Sequence, residues 1–451
     1  MNTQLRAGFG RADITPEQYS MLAGFGTDGN RVCNYIMDRI FATCIAITDA
    51  QDQTILLITT DLLQSEQISV IRYGREAITS ATGVPGNRIM IAATHTHSGP
   101  SMYTVDDLRQ RPYILFLAKQ LAKAASDAMA DRKPAQLYIG SKQVPNMTFV
   151  RHYEANDGSF AGTLFGTLRS GAKRHLWPAD EQLQMIRFAR EDARDIVMVN
   201  WQSHCTFVGH PEEYVLSGDY VSPLRNHFEG LTGCHFAFFQ GACGNLIPTS
   251  KVPGLSRVDQ KDHMGYGRIL AEEAADCLQN CLQPAQGGII GSRLMNYRGQ
   301  VDHTEDNLAE EARFIRVEYW RLTDPQERNK LIENSSFNSV HHACQVDDRS
   351  RLPETIEIEI DALCAGDIAF ATAPYEMFCS NGQFIKNNSP FRQTFVMGYC
   401  NGRFAYMPDE AAFAMNWYEV NARRFAKGAS EDIVANHVRM LKEIHAETKG
   451  E

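Results

Sequence analysis

The sequence predicts an α/β protein whose core is a mixed β-sheet flanked by helices. Strand-sized apolar runs alternate along the chain with amphipathic stretches of helical period. The 451 residues, 43% of them hydrophobic, supply enough apolar side chains for a large core. Neither an internal repeat nor a Pro/Ser-rich linker marks a boundary. We therefore expect one domain over 1–451, rather than the three that roughly 150 residues per domain would suggest.

The elements follow in order. "ATCIAITDA" and "QTILLITTDLL" read as two strands joined through "DAQDQ", and "EQISVIRYGREAITSATG" as a helix closed by Gly83. The strand "RIMIAATHTH" comes next, then the helix "YILFLAKQLAKAASDAMADR" and the strand "AQLYIGSKQV". A polar, irregular stretch runs from about Asn146 to Trp177, long enough to suggest a functional loop. "LQMIRFAR", "DIVMVNWQSH" and "CHFAFFQGACGN" are further strands, and "GRILAEEAADCLQNCLQ" is a helix. The charged region of about 303–344 reads as a helical excursion on the surface. "ETIEIEIDALCAGDIAFATAP" alternates as a hairpin turning at "AGD", and a last helix covers about Ser430–Thr448.

Composition excludes several functions. A net charge of −10 disfavours a phosphate backbone or an anionic bilayer as the main partner. Nucleic acid and stable membrane insertion are therefore excluded, and a small-molecule substrate is expected; a homo-oligomer remains compatible with the sequence. No run approaches the roughly 18 apolar residues of a membrane span, and "MNTQLRAGFGRADITP" lacks the features of a signal peptide. Eleven cysteines without CxxC pairs fit reduced thiols, so the expected compartment is cytoplasmic.

Chemistry concentrates at strand ends. "ATHTHSGP" places His95 and His97 two residues apart after an apolar strand, where pleating would turn both to one face. His204 ends another strand in "NWQSHCT". Such positions suit metal ligands or acid–base groups, although spacing alone leaves a structural reading equally open. Neither "GFGRAD" nor "AGFGTDGN" follows a strand with dinucleotide-binding spacing. The pair His341–His342 reads as surface, and Cys243 as an inert buried thiol.

Taken together, "GRADITP", "ATHTHSGP", "HCT" followed by "LSGD", and "NGRFAYMPDEAAFAMNWYEV" resemble the catalytic domain of the neutral/alkaline ceramidase superfamily over most of the chain, about 7–435. The resemblance implies a zinc ion held by His95, His204, Glu376 of "APYEMF" and Tyr406 of "FAYMP". It implies His97 as a non-ligand histidine at the reacting centre, with Arg151 of "FVRHY" contacting substrate and Tyr418 of "NWYEV" hydrogen-bonding in the active site. Asp219 of "LSGDY" would orient a ligand histidine, capping a turn being the alternative. The immunoglobulin-like domain that follows in ceramidases is expected to be missing.

One departure is plain. Where ceramidases carry Gly-Asp-x-Ser-Pro, this chain has "GACGNLIP", with Asn245 at the aspartate and Ile247 at the serine position. The expected activity is thus not ceramide cleavage but zinc-dependent hydrolysis of an amide, ester or lactone in a small polar substrate, with zinc activating water. Lactone opening or elimination on a sugar-derived metabolite, and a non-catalytic binding role, are the two alternatives.

Overall fold

In the computed structural model, residues 5–17, 20–25, 31–102, 111–162, 170–209, 213–415 and 417–450 are described. The first sheet is built from β1 (Leu5–Asp13), β2 (Phe41–Thr48), β3 (Thr54–Thr60), β4 (Ile89–Ala93), β5 (Lys133–Gln143), β6 (Gln182–Arg190), β7 (Ile196–Trp201) and β8 (His235–Gln240). Their order across the sheet is β8-β7-β6-β5-β1-β2-β3-β4, with the short strand Gln283–Ala285 added beside β5. The pairs β3–β4 and β7–β8 at the two ends are parallel and the pairs between them antiparallel. A parallel pair needs a long crossover, and helix α1 (Tyr73–Thr82) and helix α3 (Val221–Thr232) supply them.

The second sheet runs β9 (Ile290–Gln300), β10 (Thr355–Ala365), β11 (Ile368–Ala373) and β12 (Gln393–Gly398), in that order. Alternation along the strands explains how the sheets stack. Leu363, Ala365, Phe370 and Phe395 meet Ile45, Leu57, Ile186 and Met198 of the first sheet in one core. Their neighbours Ala362, Cys364, Ala369 and Val396 face the opposite way, towards Ile433 and Leu441 of the last helix, Ala429–Lys449. On the outer face of the first sheet lie α1 and α2 (Arg111–Ala130), beside β2–β4. On the same face, α3 and α4 (His263–Asn280) cover β6–β8. The result is helices, sheet, sheet, helices: the mixed-sheet α/β class read from the sequence.

Three local expectations change. The strand before the histidine motif stops at Ala93, because His95 turns into the left-handed region at φ 67°. Within the polar stretch, Phe149–Val150, His152–Ala155, Phe160–Gly162 and Ala172–His175 form short strands, while 163–169 lie outside the described residues. The helix ending at Gly83 opens with a π-helical turn, Gln67–Arg72. Between β9 and β10 stand α5 (Ala309–Arg321), α6 (Pro325–Glu333) and α7 (Val340–Arg349). Among the described residues, no helix is long and apolar enough to cross a membrane.

Candidate metal centre

The loops leaving β4 and β7 run side by side. Thr96 bridges Cys205 in parallel, and the His97 N–H donates to the Cys205 carbonyl at 3.1 Å. This pairing, not strand pleating, brings His95 and His97 to His204. One nitrogen of each of the three rings lies within 4.8 Å of the others. The positive φ of His95 is an uncommon conformation for a non-glycine residue, held by its N–H to the Leu62 carbonyl at 3.0 Å.

Glu376 arrives from the second sheet. It follows β11 and pairs with Tyr406 in a two-residue parallel bridge, so the two side chains emerge together. The turn "GACGN" fixes its depth: a side chain on Gly244 would meet the Glu376 carbonyl at 2.5 Å, so only glycine lets these backbones touch. Glu376 Oε2 then lies 3.3 Å from His204 Nε2 and 3.8 Å from His95 Nε2. The Tyr406 phenol lies beside the same carboxylate and opposes the rise of its pKa.

Hydrogen bonds outside this cluster set the tautomers. His95 Nδ1 donates to the Leu63 carbonyl at 2.8 Å, and His204 Nδ1 faces the Cys243 and Leu246 carbonyls, each at 2.8 Å. Both rings therefore present a bare Nε2 lone pair inwards, and His204 Nε2 is buried without a hydrogen-bond partner. His97 is the reverse: its Nδ1 accepts from the Phe25 N–H at 3.3 Å, leaving the proton on Nε2, 3.3 Å from His95 Nε2. Burial pushes the imidazole pKa values of His95 and His204 down to about 3 and that of His97 well down as well. Burial also raises the Glu376 carboxyl, against the opposing pull of His95.

Two neutral imidazole nitrogens, a carboxylate oxygen and a phenol form a donor set suited to zinc, and the orphaned His204 Nε2 is where such an ion fits. Arg151 and Tyr418 stand alongside. The Arg151 guanidinium lies 5.3 Å from the Tyr406 ring and 5.7 Å from the Tyr418 ring, and these two rings are 5.3 Å apart. The seven residues singled out in the sequence thus share one buried region.

The readings of Asp219 and of the His341–His342 pair need correction; those of Ile247 and Cys243 do not. Asp219 accepts from the Val208 and Tyr220 backbone amides rather than from a histidine; carbonyls orient His95 and His204 instead. His342 is buried, with Nε2 2.9 Å from Glu305, and the His341 ring lies 4.6 Å from Tyr418, so this pair is not a surface feature. Ile247 is tied into an antiparallel bridge with Phe149. The Cys243 thiol is fully buried, and burial raises its pKa, keeping it protonated.

Two residues were missed. Tyr399 stacks on His95 with centroids 3.8 Å apart and lies 3.4 Å from Glu376 Oε2 through its hydroxyl. Its φ of 53°, the second unusual backbone at the centre, has no sequence signature. Glu419 binds Arg151 Nε and, through its other oxygen, His152 Nε2 at 3.0 Å. Its adjacency to Tyr418 was the only available hint.

No family model matches this sequence, and neither does any curated protein. Solved structures do. The neutral ceramidase from Pseudomonas aeruginosa superposes with a TM-score of 0.71 at 18% identity, over 97% of this chain and 74% of that one. A ceramidase complexed with C2 gives a TM-score of 0.72 at 17% identity, over 99% of this chain and 76% of the other. At such low identity the likeness carries architecture and not activity: the chain has the ceramidase-like α/β fold.

Proposed function

We propose that this protein is a zinc-dependent hydrolase that cleaves an amide, or else an ester or lactone, in a small polar substrate. The observation that carries the reading is the meeting of His95 Nε2, His204 Nε2 and Glu376 Oε2, with both imidazoles turned by carbonyls to offer lone pairs. Tyr406 would complete the ligand set. When bound, the cation supplies Lewis acidity, polarising a carbonyl and making a water acidic enough to attack near neutral pH.

The chain's own groups do the rest. His97 carries its proton on Nε2, towards the cluster, and as a neutral imidazole would donate a hydrogen bond from it to the reacting oxygen. Arg151 is fixed by Glu419 and by the Gly244 carbonyl at 2.8 Å, so its charge is available beside Tyr406 and Tyr418 without further reorganisation. Arg151 and the Tyr418 hydroxyl then serve as donors to the oxyanion. Ile247 offers no hydroxyl at the position where ceramidases use serine, which supports a substrate other than ceramide.

The test is metal analysis of the purified protein, then chelation and re-addition of zinc, with a panel of simple amides, esters and lactones read by product mass. Zinc uptake, with activity that follows it and products heavier by one water, is the expected result. Failure to take up metal, or products without added water, overturns the reading.

A further inference from the structure

We propose that Arg424, with Arg403 beside it, forms an anion-recognition subsite on the loops that adjoin the metal centre in the chain, and that the substrate carries a carboxylate or a phosphate group. The substrate half of this inference rests on the hydrolase reading; the subsite itself does not.

The observation is a cation without a counter-ion. Arg424 is half-buried, its guanidinium lies 5.6 Å from the Phe404 ring, and among the described residues its side chain makes no hydrogen bond or ion pair. Other buried arginines nearby are fully engaged. Arg349 donates to the Asp302, Asn421 and Arg423 carbonyls and to Glu305, and Arg423 binds Asp302. The charges around Arg424 are Arg403, Asp348 and Glu66, but both carboxylates are already taken. Glu66 pairs with Arg403 at 3.1 Å, and Asp348 with Arg316 at 2.6 Å. Burial and the charge of Arg403 lower the Arg424 pKa, the electrostatic mark of a cation short of negative charge. A half-buried guanidinium in this state is costly unless a ligand compensates it, and its planar fork matches carboxylate and phosphate oxygens.

Chain connectivity ties the cluster to the loops that build the metal centre. Glu66 stands three residues after Leu63, whose carbonyl holds His95 Nδ1. Arg403 stands three residues before Tyr406, and Arg423, next to Arg424, bridges Tyr406 in parallel. The loop bearing Glu66 also contributes Ser65, fully buried, whose hydroxyl has no hydrogen-bond partner among the described residues. A substrate spanning from the metal to this cluster would be gripped at both ends, which neither Arg151 nor Tyr418 accomplishes.

The first arm of the test uses metal-free protein. Thermal unfolding is followed with sodium phosphate, and separately sodium acetate, against sodium chloride at matched ionic strength, for the wild type and for Arg424→Gln and Arg424→Lys. At least one of the two anions should stabilise the wild type in a concentration-dependent way. Arg424→Gln should lose the shift and Arg424→Lys keep part of it; which anion acts tells carboxylate from phosphate. The second arm compares matched substrates with and without an anionic group on zinc-loaded enzyme. We expect a preference of about tenfold or more in kcat/KM for the anionic member, abolished in Arg424→Gln. A wild type indifferent to both anions, or an Arg424→Gln variant that responds as the wild type does, overturns the subsite. An intact anion shift with no turnover on any panel member supports the subsite and overturns the hydrolase reading alone.

Discussion

The backbone N–H of Phe25 lies 3.3 Å from His97 Nδ1, and this one contact separates His97 from the other two histidines of the cluster. With Nδ1 accepting, the His97 proton is on Nε2, where a ligand needs a lone pair. We therefore expect His97→Ala to retain zinc while slowing turnover by about 10²- to 10³-fold, the usual share of one hydrogen-bond donor to a developing oxyanion. His95→Ala, His204→Ala and Glu376→Ala should lose the metal on gel filtration. Metal content and kcat, measured on the same preparations, decide the matter: a His97→Ala protein as empty as His204→Ala would make His97 a ligand.

Tyr399 touches two candidate ligands at once, stacking on His95 and reaching Glu376 with its hydroxyl. Outer partners of this kind typically account for about 10- to 100-fold in metal affinity. Tyr399→Phe, which keeps the stack and removes the hydroxyl, should weaken zinc binding towards the low end of that range. Tyr399→Leu removes both contacts and should weaken it further. Competition against a chromogenic chelator reads this directly, and equal affinities across the three proteins would leave Tyr399 as packing only.

Burial holds His95 and His204 down to about 3, whereas an unfolded histidine titrates near 6.5. Between those values the unfolded chain binds the additional protons, so the metal-free protein must lose stability as pH falls below about 6.5. The slope is at most ~1.4 kcal/mol per pH unit for each histidine. Urea midpoints in EDTA should fall between pH 7.5 and 5, less steeply in His204→Leu. Identical slopes for that variant and the wild type would show that His204 is not held neutral by the fold.

The layered architecture was legible because it depends on patterns the chain repeats: buried strands such as Ile89–Ala93 and the alternating hairpin arm Thr355–Ala365 announce themselves. The site was legible in residue type but not in cause. His95 and His97 do converge, yet through the left-handed backbone of His95 and the Thr96–Cys205 bridge, and neither can be read from a spacing of two. Tyr399 and Glu419 were hidden for the same reason. Each acts through a partner far away in sequence, Tyr399 on His95 and Glu419 on Arg151. The burial of His342 likewise depends on Glu305, 37 positions earlier.

Glu419 is the residue on which the rigidity of Arg151 rests. It is 2% exposed, and its two oxygens are divided between Arg151 Nε and His152 Nε2, while the His152 ring is held by stacking on Trp417 at 3.9 Å. Burial alone would raise its pKa, but Arg151 and then His152 hold it well below the usual carboxylate range. With the folded value depressed, this contribution to stability is fully present above the unfolded carboxyl's value of about 4.3 and is lost as pH falls below it. Glu419→Ala would strand the Arg151 guanidinium in the interior, and such breaks cost about 3–5 kcal/mol. Glu419→Gln keeps the shape and should cost less, but should lower turnover because the guanidinium is no longer drawn to one position beside Tyr406 and Tyr418. Pairing Glu419→Gln with Arg151→Met in a double-mutant cycle separates the pair from its surroundings. The double variant should recover part of the stability lost by Glu419→Gln, because no buried cation is left behind. Strictly additive losses would mean that the two side chains are held independently and that Arg151 owes its position to the Gly244 carbonyl instead.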